Sequence, residues 1–431
     1  VGVRADQDRE FLASRDIWFR PVQMANAPDG TLYVLDMSRE VIEHPDSLPP
    51  VIKQHIDLTS GRSQGRIYRI VPNGFEQPTR RPLGELTTEE LVAALDHPNG
   101  WHRETAARLI YQWQDRAAVQ PLEELSARSS RPETRIRALY ALAGLDAMTT
   151  PIVLARLSDE HPRVREHAVR LAERFSATAA LLKDRLLQLV DDPDPRVRYQ
   201  LAFSLGEFQF PEVVPALCRL LKRDVDDPWM RLATQSSLAE GAGGALAELA
   251  GDATFRGRAA GRAFLTTLAK QVGAQNRADE LAPLVNALPQ LTTVDPALAQ
   301  QIVQSAVASA GRHGDSLRTQ LQAAVGGQGD AVLRRMVDDA INAATDENRT
   351  ARQRVEAIRT LSIASFSQVI DILMGLIDSR QPHQVQVAAL AVLAQFDDEE
   401  VADRILQQLH QLSPRTRSAA WEAIFARRER V

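Results

Sequence analysis

Two short acidic clusters contain the residues best suited to chemistry in this 431-residue chain. They read Asp191-Asp192-Pro193-Asp194 and Asp224-Val225-Asp226-Asp227, and crowded carboxylate oxygens are the ligands that Ca²⁺ prefers. Both clusters lack the central Gly and the distant bidentate Glu of a calcium loop. Proline directly follows each cluster, which favours helix capping by Asp194 and Asp227. We therefore predict no metal site at these clusters.

Three arginines, Arg165, Arg198 and Arg231, are evenly spaced along the chain. Arg198 and Arg231 each closely follow one of the acidic clusters. Such a row could bind an anionic ligand. Asp159 and Asp192 each lie six residues before one of these arginines, so a turn carboxylate can approach a neighbouring guanidinium. The pattern favours a structural ladder that ties successive units together. The pattern is broken at Arg231, because the residue six positions before it is Val225 rather than an aspartate.

No catalytic residue is predicted. The nine histidines are scattered, and the sequence contains no HExxH motif, no Gly-rich phosphate loop and no Gly-x-Ser-x-Gly motif. The single cysteine, Cys218, can form neither an intrachain disulfide nor a metal site that needs two thiolates. It lies in an apolar helical run and is predicted to be buried and inert. We expect no cofactor in this chain.

Composition disfavours further classes of function. The formal net charge is -5 and the pI is near 6.1, which gives no electrostatic reason to expect a nucleic-acid partner. No stretch of 18 apolar residues exists, so we expect no membrane-spanning segment. The chain begins at Val1 with charged residues and no apolar signal core, which indicates a fragment whose N-terminus lies upstream. The localisation cannot be read from such a sequence directly.

The elements that carry these side chains repeat along the chain. Prolines 162, 195 and 228 are spaced by 33 residues, and each opens a similar segment: Pro162-Arg163-Val164-Arg165, Pro195-Arg196-Val197-Arg198 and Pro228-Trp229-Met230-Arg231. Weaker copies occur from about 103 to 138 and again from about 354 to 420. A period of this length is the signature of stacked helical repeats.

Each unit reads as two antiparallel helices. The first helix is apolar at positions such as Leu186, Leu189 and Val190, and the second at Val197 and Leu201. One unit cannot bury its apolar stripe alone, so stacking supplies the core. The sequence predicts a mostly α fold, a right-handed α-solenoid of HEAT-like repeats over 85–431. Glycine runs at 241–244 and 326–329 predict an irregular middle at about 240–350.

Residues 1–84 differ in kind and form a predicted β-rich segment. Strands are predicted at Thr31-Leu32-Tyr33-Val34-Leu35-Asp36 and Gly65-Arg66-Ile67-Tyr68-Arg69-Ile70-Val71, and Asp29-Gly30 is a hairpin signal. An earlier segment, Trp18-Phe19-Arg20-Pro21-Val22, leads into the hairpin. Two or three short strands are not stable alone, so they belong to a larger sheet or pack on the helices.

These strand motifs, with Val41-Ile42-Glu43-His44-Pro45 and Ile56-Asp57-Leu58-Thr59-Ser60-Gly61 between them, resemble the last β-propeller blade of soluble-glucose-dehydrogenase-like proteins. More closely, the block resembles the membrane-bound dehydrogenases of the planctomycete and verrucomicrobial (PVC) type. In that family a propeller precedes HEAT-like repeats and often a c-type cytochrome domain. The order of parts agrees over the whole chain, although only residues 15–75 carry specific motifs. The earlier blades and the Cys-x-x-Cys-His haem motif are absent from this sequence.

The resemblance implies a non-catalytic scaffold: the C-terminal portion of a propeller-type sugar or alcohol dehydrogenase that passes electrons to a c-type cytochrome. It implies a quinone and haem c as cofactors of the parent protein, and a periplasmic or cell-envelope location. The implied partners are the upstream propeller, a downstream cytochrome domain or another protein. Arg20 and Asp36 would lie at the edge of a substrate pocket, because inner-strand ends of a propeller face its channel; a salt bridge or turn contact is the structural alternative.

Two other functions stay open. One is a free-standing HEAT-repeat adaptor that binds a protein partner. The other is a HEAT-like lyase or DNA-repair enzyme, which requires a groove with exposed aromatic and basic residues. Against the second, we predict that most of Trp101, Trp113, Trp229 and Trp421 are buried in their helices.

Overall fold

The computed structural model describes residues 3–4, 6–79, 81–178, 180–310 and 328–426. The chain divides into two compact units, Val1–Arg156 and Leu157–Val431. The predicted change from strands to helices near residue 84 falls between the last strand, which ends at Ile70, and a helix that begins at Thr88. Two positions of the glycine run at 326–329, Gly326 and Gly327, lie outside the described residues.

The first unit opens with a three-stranded antiparallel sheet in the order β1 (Pro21–Asn26), β2 (Leu32–Asp36), β3 (Arg66–Ile70). Met24, Val34 and Tyr68 are directly opposite one another across the strands. Each strand contains β-branched or aromatic residues, which favour the extended conformation. The hairpin turn uses Gly30 at φ +88°, a left-handed conformation that glycine adopts without steric cost.

Helices make up the rest of the first unit. They are α1 (Pro50–Lys53), α2 (Thr88–Ala94), α3 (Gly100–Trp113), α4 (Val119–Arg128), α5 (Pro132–Gly144) and α6 (Thr150–Arg156). The core of this unit consists of Leu91, Val92, Leu95, Ala106, Ile110, Ala118, Leu122, Ala138, Leu142 and Leu145. These side chains recur at helical spacing, so each helix buries one apolar stripe.

The hairpin is anchored to the start of α3. The Asn99 side-chain amide donates a hydrogen bond to the carbonyl oxygen of Ala27 at 2.8 Å. The His102 Nε2 atom lies 2.8 Å from the carbonyl oxygen of Pro28. Asn99 is also the N-cap of α3, because its side chain accepts a hydrogen bond from the Trp101 N–H at 2.9 Å. One residue therefore fixes both the helix start and the sheet.

In the described residues of the second unit, all regular secondary structure is helical. Its helices are α7 (Pro162–Ala172), α8 (Ala180–Gln188), α9 (Pro195–Ser204), α10 (Val213–Asp224), α11 (Pro228–Ser237), α12 (Ala242–Gly251), α13 (Ala253–Gly257), α14 (Ala259–Gln275), α15 (Ala278–Val294), α16 (Pro296–Ser309), α17 (Gln328–Thr345), α18 (Ala351–Thr360), α19 (Phe366–Leu376), α20 (His383–Leu393), α21 (Glu400–Gln408) and α22 (Pro414–Phe425).

The helices of this unit stack in two rows. Second helices of successive repeats pack on one another, α7 on α9 and α9 on α11, and first helices do the same, α10 on α12. Val197 and Leu201 of α9 are fully buried, as is Leu186 of α8. Full burial of such a side chain stabilises the fold by about 1.5–3 kcal/mol. The predicted stacking of helix pairs around an apolar seam is confirmed.

The first glycine run begins a helix rather than interrupting one. Gly241 is the N-cap of α12 at φ +81°, and Gly243 and Gly244 lie inside the helix. A Cβ on Gly243 would lie 1.8 Å from the carbonyl oxygen of Glu280 in α15, so glycine is needed for close helix packing. The buried Glu280 carboxylate accepts hydrogen bonds from the N–H groups of Gly241 at 2.5 Å and Gly243 at 2.7 Å. A carboxylate from the next repeat thus caps α12.

Candidate functional site

Asp36 ends β2 and is 3% exposed. Its Oδ1 atom accepts hydrogen bonds from the backbone N–H groups of Arg20 at 2.8 Å and Ser38 at 2.9 Å. Among the described residues, its buried Oδ2 atom has no hydrogen-bond partner. The Arg20 guanidinium donates to the carbonyl oxygens of Ile17 at 2.5 Å and Glu40 at 3.2 Å. The two residues lie together, and each makes turn contacts with the surrounding loops.

The ladder residues meet between repeats. Arg165 of α7 donates through Nε and Nη2 to both carboxylate oxygens of Asp192, at 2.7 and 2.9 Å. Its Nη1 atom donates to the carbonyl oxygens of Asp159 and Glu160 at 2.9 and 3.0 Å. The Arg165 and Asp192 side chains are only 11% and 3% exposed. The carboxylate that binds Arg165 therefore belongs to the following repeat, and Asp159 contributes its backbone oxygen.

The next step of the ladder repeats this geometry. Arg198 donates through Nε and Nη2 to Asp224 at 2.7 and 2.9 Å, and through Nη1 to the carbonyl oxygen of Asp192 at 2.7 Å. The following step differs, because Arg231 donates to the carbonyl oxygen of Val225 at 2.6 Å. Within the described part of the chain, Arg231 makes no ion pair. These arginines contact the protein itself, so their guanidinium groups do not form an open anion site.

The acidic turns cap helices. Asp194 and Asp227 accept hydrogen bonds at 2.8 Å from the backbone N–H groups of Arg196 and Trp229. In the described residues, no group of three or more His, Cys, Asp or Glu side chains is arranged to hold a metal ion. Cys218 is fully buried, as predicted, and burial raises the pKa of its thiol.

The prediction for the tryptophans is wrong. Trp101, Trp113, Trp229 and Trp421 are 37%, 41%, 64% and 39% exposed. All four lie on second helices of repeats, namely α3, α11 and α22. Smaller side chains fill the seam instead: in α11 the buried residues are Met230, Ala233 and Thr234. These three side chains occupy the buried positions of α11, and Trp229 faces solvent.

The solvent side of α7, α9 and α11 forms a continuous surface, which we call the second-helix face. The repeat spacing aligns its side chains in three rows: Arg163, Arg196 and Trp229; Glu166, Tyr199 and Leu232; Arg170, Phe203 and Ser236. Leu232 is 54% exposed and Phe203 37% exposed. The Phe203 ring meets Tyr199 edge to face, with ring centroids 5.1 Å apart. The face thus changes from charged on α7 to apolar on α11.

The second-helix face is rich in arginine. Its solvent side carries Arg163, Arg170 and Arg196 and one glutamate, whereas the other three arginines of α7, α9 and α11 are the ladder residues. The glutamate, Glu166, pairs with Arg163. Burial raises the pKa of Glu166, and the positive charges of Arg163 and Arg196 act in the opposite direction. Cationic and aromatic groups side by side are typical of interface hot spots.

Comparisons with known proteins identify two kinds of segment. Residues 88–172, 150–239 and 182–260 match the family described as HEAT repeats. Residues 2–74 match a domain of unknown function, DUF7133. A search of curated proteins found no match to this chain.

Solved structures that resemble the chain include the karyopherin Kap121p. Kap121p alone has a TM-score of 0.44 at 13% identity, over 78% of this chain and 45% of that chain. Kap121p bound to the extreme C-terminus of the protein phosphatase Cdc14p gives 0.44 at 13% identity, over 80% and 46%. Kap121p bound to RanGTP gives 0.41 at 13% identity, over 78% and 45%. The chain spans less than half the length of these proteins.

The fold and the family match define the class. The chain is a mostly helical α-solenoid with HEAT repeats, and a small antiparallel sheet precedes the helices. None of the described helices is both long and apolar enough to cross a lipid bilayer.

Proposed function

We propose that this chain is a non-catalytic HEAT-repeat adaptor that binds a protein partner on the second-helix face. The observation that carries the proposal is Trp229, which is 64% exposed one helical turn before the exposed Leu232 on α11, with the exposed Phe203 on the adjacent helix α9. Exposed large apolar side chains that adjoin one another mark interaction sites on soluble proteins. Trp, Tyr and Arg are the residue types that contribute most binding energy at interfaces.

A protein fits this face better than a nucleic acid. The exposed tryptophans are compatible with a DNA-repair enzyme. The carboxylates around the second-helix face, however, would repel a polyanion such as DNA. The turns that enter α9 and α11 carry Asp191, Asp226 and Asp227, all exposed. Phosphates approaching the N-terminal ends of these helices would meet these carboxylates. A protein partner can place an apolar side chain on the apolar part of the second-helix face and carboxylates beside its arginines.

Site-specific photocrosslinking tests the proposal. One variant carries p-benzoylphenylalanine in place of Trp229. The matched control carries it in place of Leu181, which is 70% exposed on the first helix α8. Each is irradiated in an extract of the source organism, and the adducts are identified by mass spectrometry. We expect one protein to crosslink at position 229 and not at 181. Excess unlabelled wild-type chain should compete, whereas the Trp229→Ala/Leu232→Ser variant should not.

Two outcomes would count against the adaptor. Equal adducts at positions 229 and 181 would mean that exposure alone governs crosslinking. Equal competition by wild type and by Trp229→Ala/Leu232→Ser would mean that the partner binds elsewhere. Circular dichroism should give the same helix content for both competitors, because Trp229 and Leu232 contribute little to the core.

A second proposal concerns the parent protein: the chain is the C-terminal portion of a propeller-type dehydrogenase, and its repeats position a c-type cytochrome. The sheet supports this, since it leaves Met24 50% and Ile67 68% exposed. Further strands against it would cover such side chains. Quinone and haem c would belong to parts outside this sequence, in the periplasm or cell envelope.

The native full-length polypeptide tests this second proposal. It should show a c-type haem spectrum and reduce a quinone-like dye with a sugar or alcohol as electron donor. A full-length protein without haem absorbance and without dye reduction would overturn the assignment. The crosslinking result at Trp229 is independent of it, so the two proposals fail separately.

A further inference from the structure

A second surface feature lies far along the chain from the second-helix face. The helices α16, α18 and α20 of the later repeats line a groove with a volume of about 930 Å³. Small apolar side chains form much of its lining, among them Ala308, Val355, Val387 and Ala388. Small residues at the base of a groove allow a bound segment to approach the helices closely.

The groove has a cationic rim. Lys270 and Arg359 line it, both are exposed, and neither has an ion-pair partner among the residues that the structure describes. Arg352 also lines the groove and lies 3.6 Å from Glu356, the one acidic residue of the lining. Two uncompensated positive charges therefore flank an apolar floor, a combination that favours an anionic amphipathic ligand.

The groove is open to solvent along its length. Ala308, Gln384 and Ala391 line the groove and are exposed. Small-molecule sites usually enclose most of the ligand surface, which this geometry does not achieve. Two turns of an α-helix, about 11 Å long and about 10 Å across, fill roughly 850 Å³. That volume is close to the volume of the groove.

We propose that this groove binds an amphipathic helix of a protein partner, with acidic residues flanking its apolar stripe. The apolar side chains of the helix would lie on Val355, Val387 and Ala388, and its carboxylates beside Lys270 and Arg359. This site is separate from the second-helix face. The chain would then hold two partners, or two parts of one partner, at different repeats.

Peptide selection on the full chain tests the proposal. The probe is a phage-displayed library of helix-favouring 16-residue peptides with a fixed leucine stripe and randomised flanking positions. Wild type is the selection target, and selected peptides are measured by fluorescence anisotropy. We expect the selected flanks to be enriched in Glu and Asp. Lys270→Glu/Arg359→Glu should weaken binding about tenfold or more, because each attraction becomes a repulsion.

Three further variants locate the binding. Ala391→Trp should also weaken binding, since its side chain would occupy the groove. Arg223→Glu, a charge reversal at an exposed position on α10, should change affinity less than twofold. Trp229→Ala should leave peptide affinity unchanged, which separates this site from the second-helix face.

Several results would overturn the groove assignment. Selection of neutral or basic flanks, or the absence of any enrichment, would contradict the charge argument. Unchanged affinity for both Lys270→Glu/Arg359→Glu and Ala391→Trp would place the peptides elsewhere. Binding of laurate at the groove with no peptide selection would identify a site for a small amphiphilic carboxylate instead.

Discussion

The buried ion pair between Arg165 and Asp192 predicts a large effect of one substitution. Asp192→Ala removes two charge-assisted hydrogen bonds of 2.7 and 2.9 Å from a guanidinium that is 11% exposed. It also removes the acceptor for the Asp194 N–H at 2.9 Å. Removing one partner of a buried pair typically costs about 3–5 kcal/mol, because the other charge stays buried. Arg165 keeps its bonds to two carbonyl oxygens. We therefore expect a loss of about 3 kcal/mol.

A neighbouring carboxylate supplies the matched control. Asp191 also pairs with an arginine of the next repeat, Arg219, but these side chains are 69% and 53% exposed. Exposed pairs contribute about 0–1 kcal/mol, so Asp191→Ala should cost less than about 1 kcal/mol. Replacing both charges, as in Arg165→Met/Asp192→Leu, should recover most of the stability, because no unpaired charge remains.

Native-state hydrogen exchange is the suitable assay. Repeat arrays open locally, so a single global unfolding energy is not well defined for them. In Asp192→Ala, the free energy of opening measured for peptides from α7 and α9 should fall by about 3 kcal/mol. The same quantity for peptides from α14 and α16 should change little. Equal protection in Asp192→Ala and Asp191→Ala would refute the claim that the buried pair joins these repeats.

Three more predictions test other parts of the fold. Gly243→Ala should destabilise α12 by about 1–3 kcal/mol, because the added Cβ meets a backbone carbonyl oxygen at 1.8 Å; Gly244→Ala, whose nearest neighbour would be 3.9 Å away, should be neutral or stabilising in hydrogen exchange. The hydrogen bonds from Thr31 lower the pKa of Asp29 to about 2, so the resulting stability is present above about pH 4 and lost as the pH falls through about 2. Thr31→Val should raise this pKa, and its stability deficit against wild type should shrink over that range; an NMR titration in which the pKa is unchanged would contradict this. The buried Cys218 thiol, whose pKa burial raises, should resist iodoacetamide in the native chain and react in urea; equal rates would contradict its burial.

Local chemistry made the repeats predictable. The Asp194-Pro195 and Asp227-Pro228 pairs define helix starts through a side-chain cap and a preset φ, and both helices begin at the proline. The strand β2 likewise lies where the sequence places Tyr33 and Val34, residue types that favour strands. These features depend on a few adjacent residues, which a sequence displays directly.

Features that depend on stacking were not predictable in the same way. Asp159 lies six residues before Arg165 in the sequence, and in the structure it gives that arginine only its backbone oxygen. Stacking of the repeats brings the carboxylate of Asp192 to the Arg165 guanidinium instead. The capping role of Glu280 was missed, and the glycines at 241 and 243 were the only sign of a close approach there. Trp229 is apolar and helical, which predicts burial, yet the buried positions of α11 are taken by Met230, Ala233 and Thr234.

The groove could not be found from the sequence either. Its lining comes from α16, α18 and α20, which are tens of residues apart and carry no shared motif. Lys270 and Arg359 lie in different repeats, so their common position on one rim appears only when the helices are stacked.

The affinity of the partner recovered at position 229, measured by calorimetry, tests the adaptor function most directly. Truncating a hot-spot residue costs about 2 kcal/mol or more, which is roughly a thirtyfold loss. We predict at least this loss for Trp229→Ala and a change of less than twofold for Leu181→Ala. Equal affinities for the two variants would contradict binding on the second-helix face.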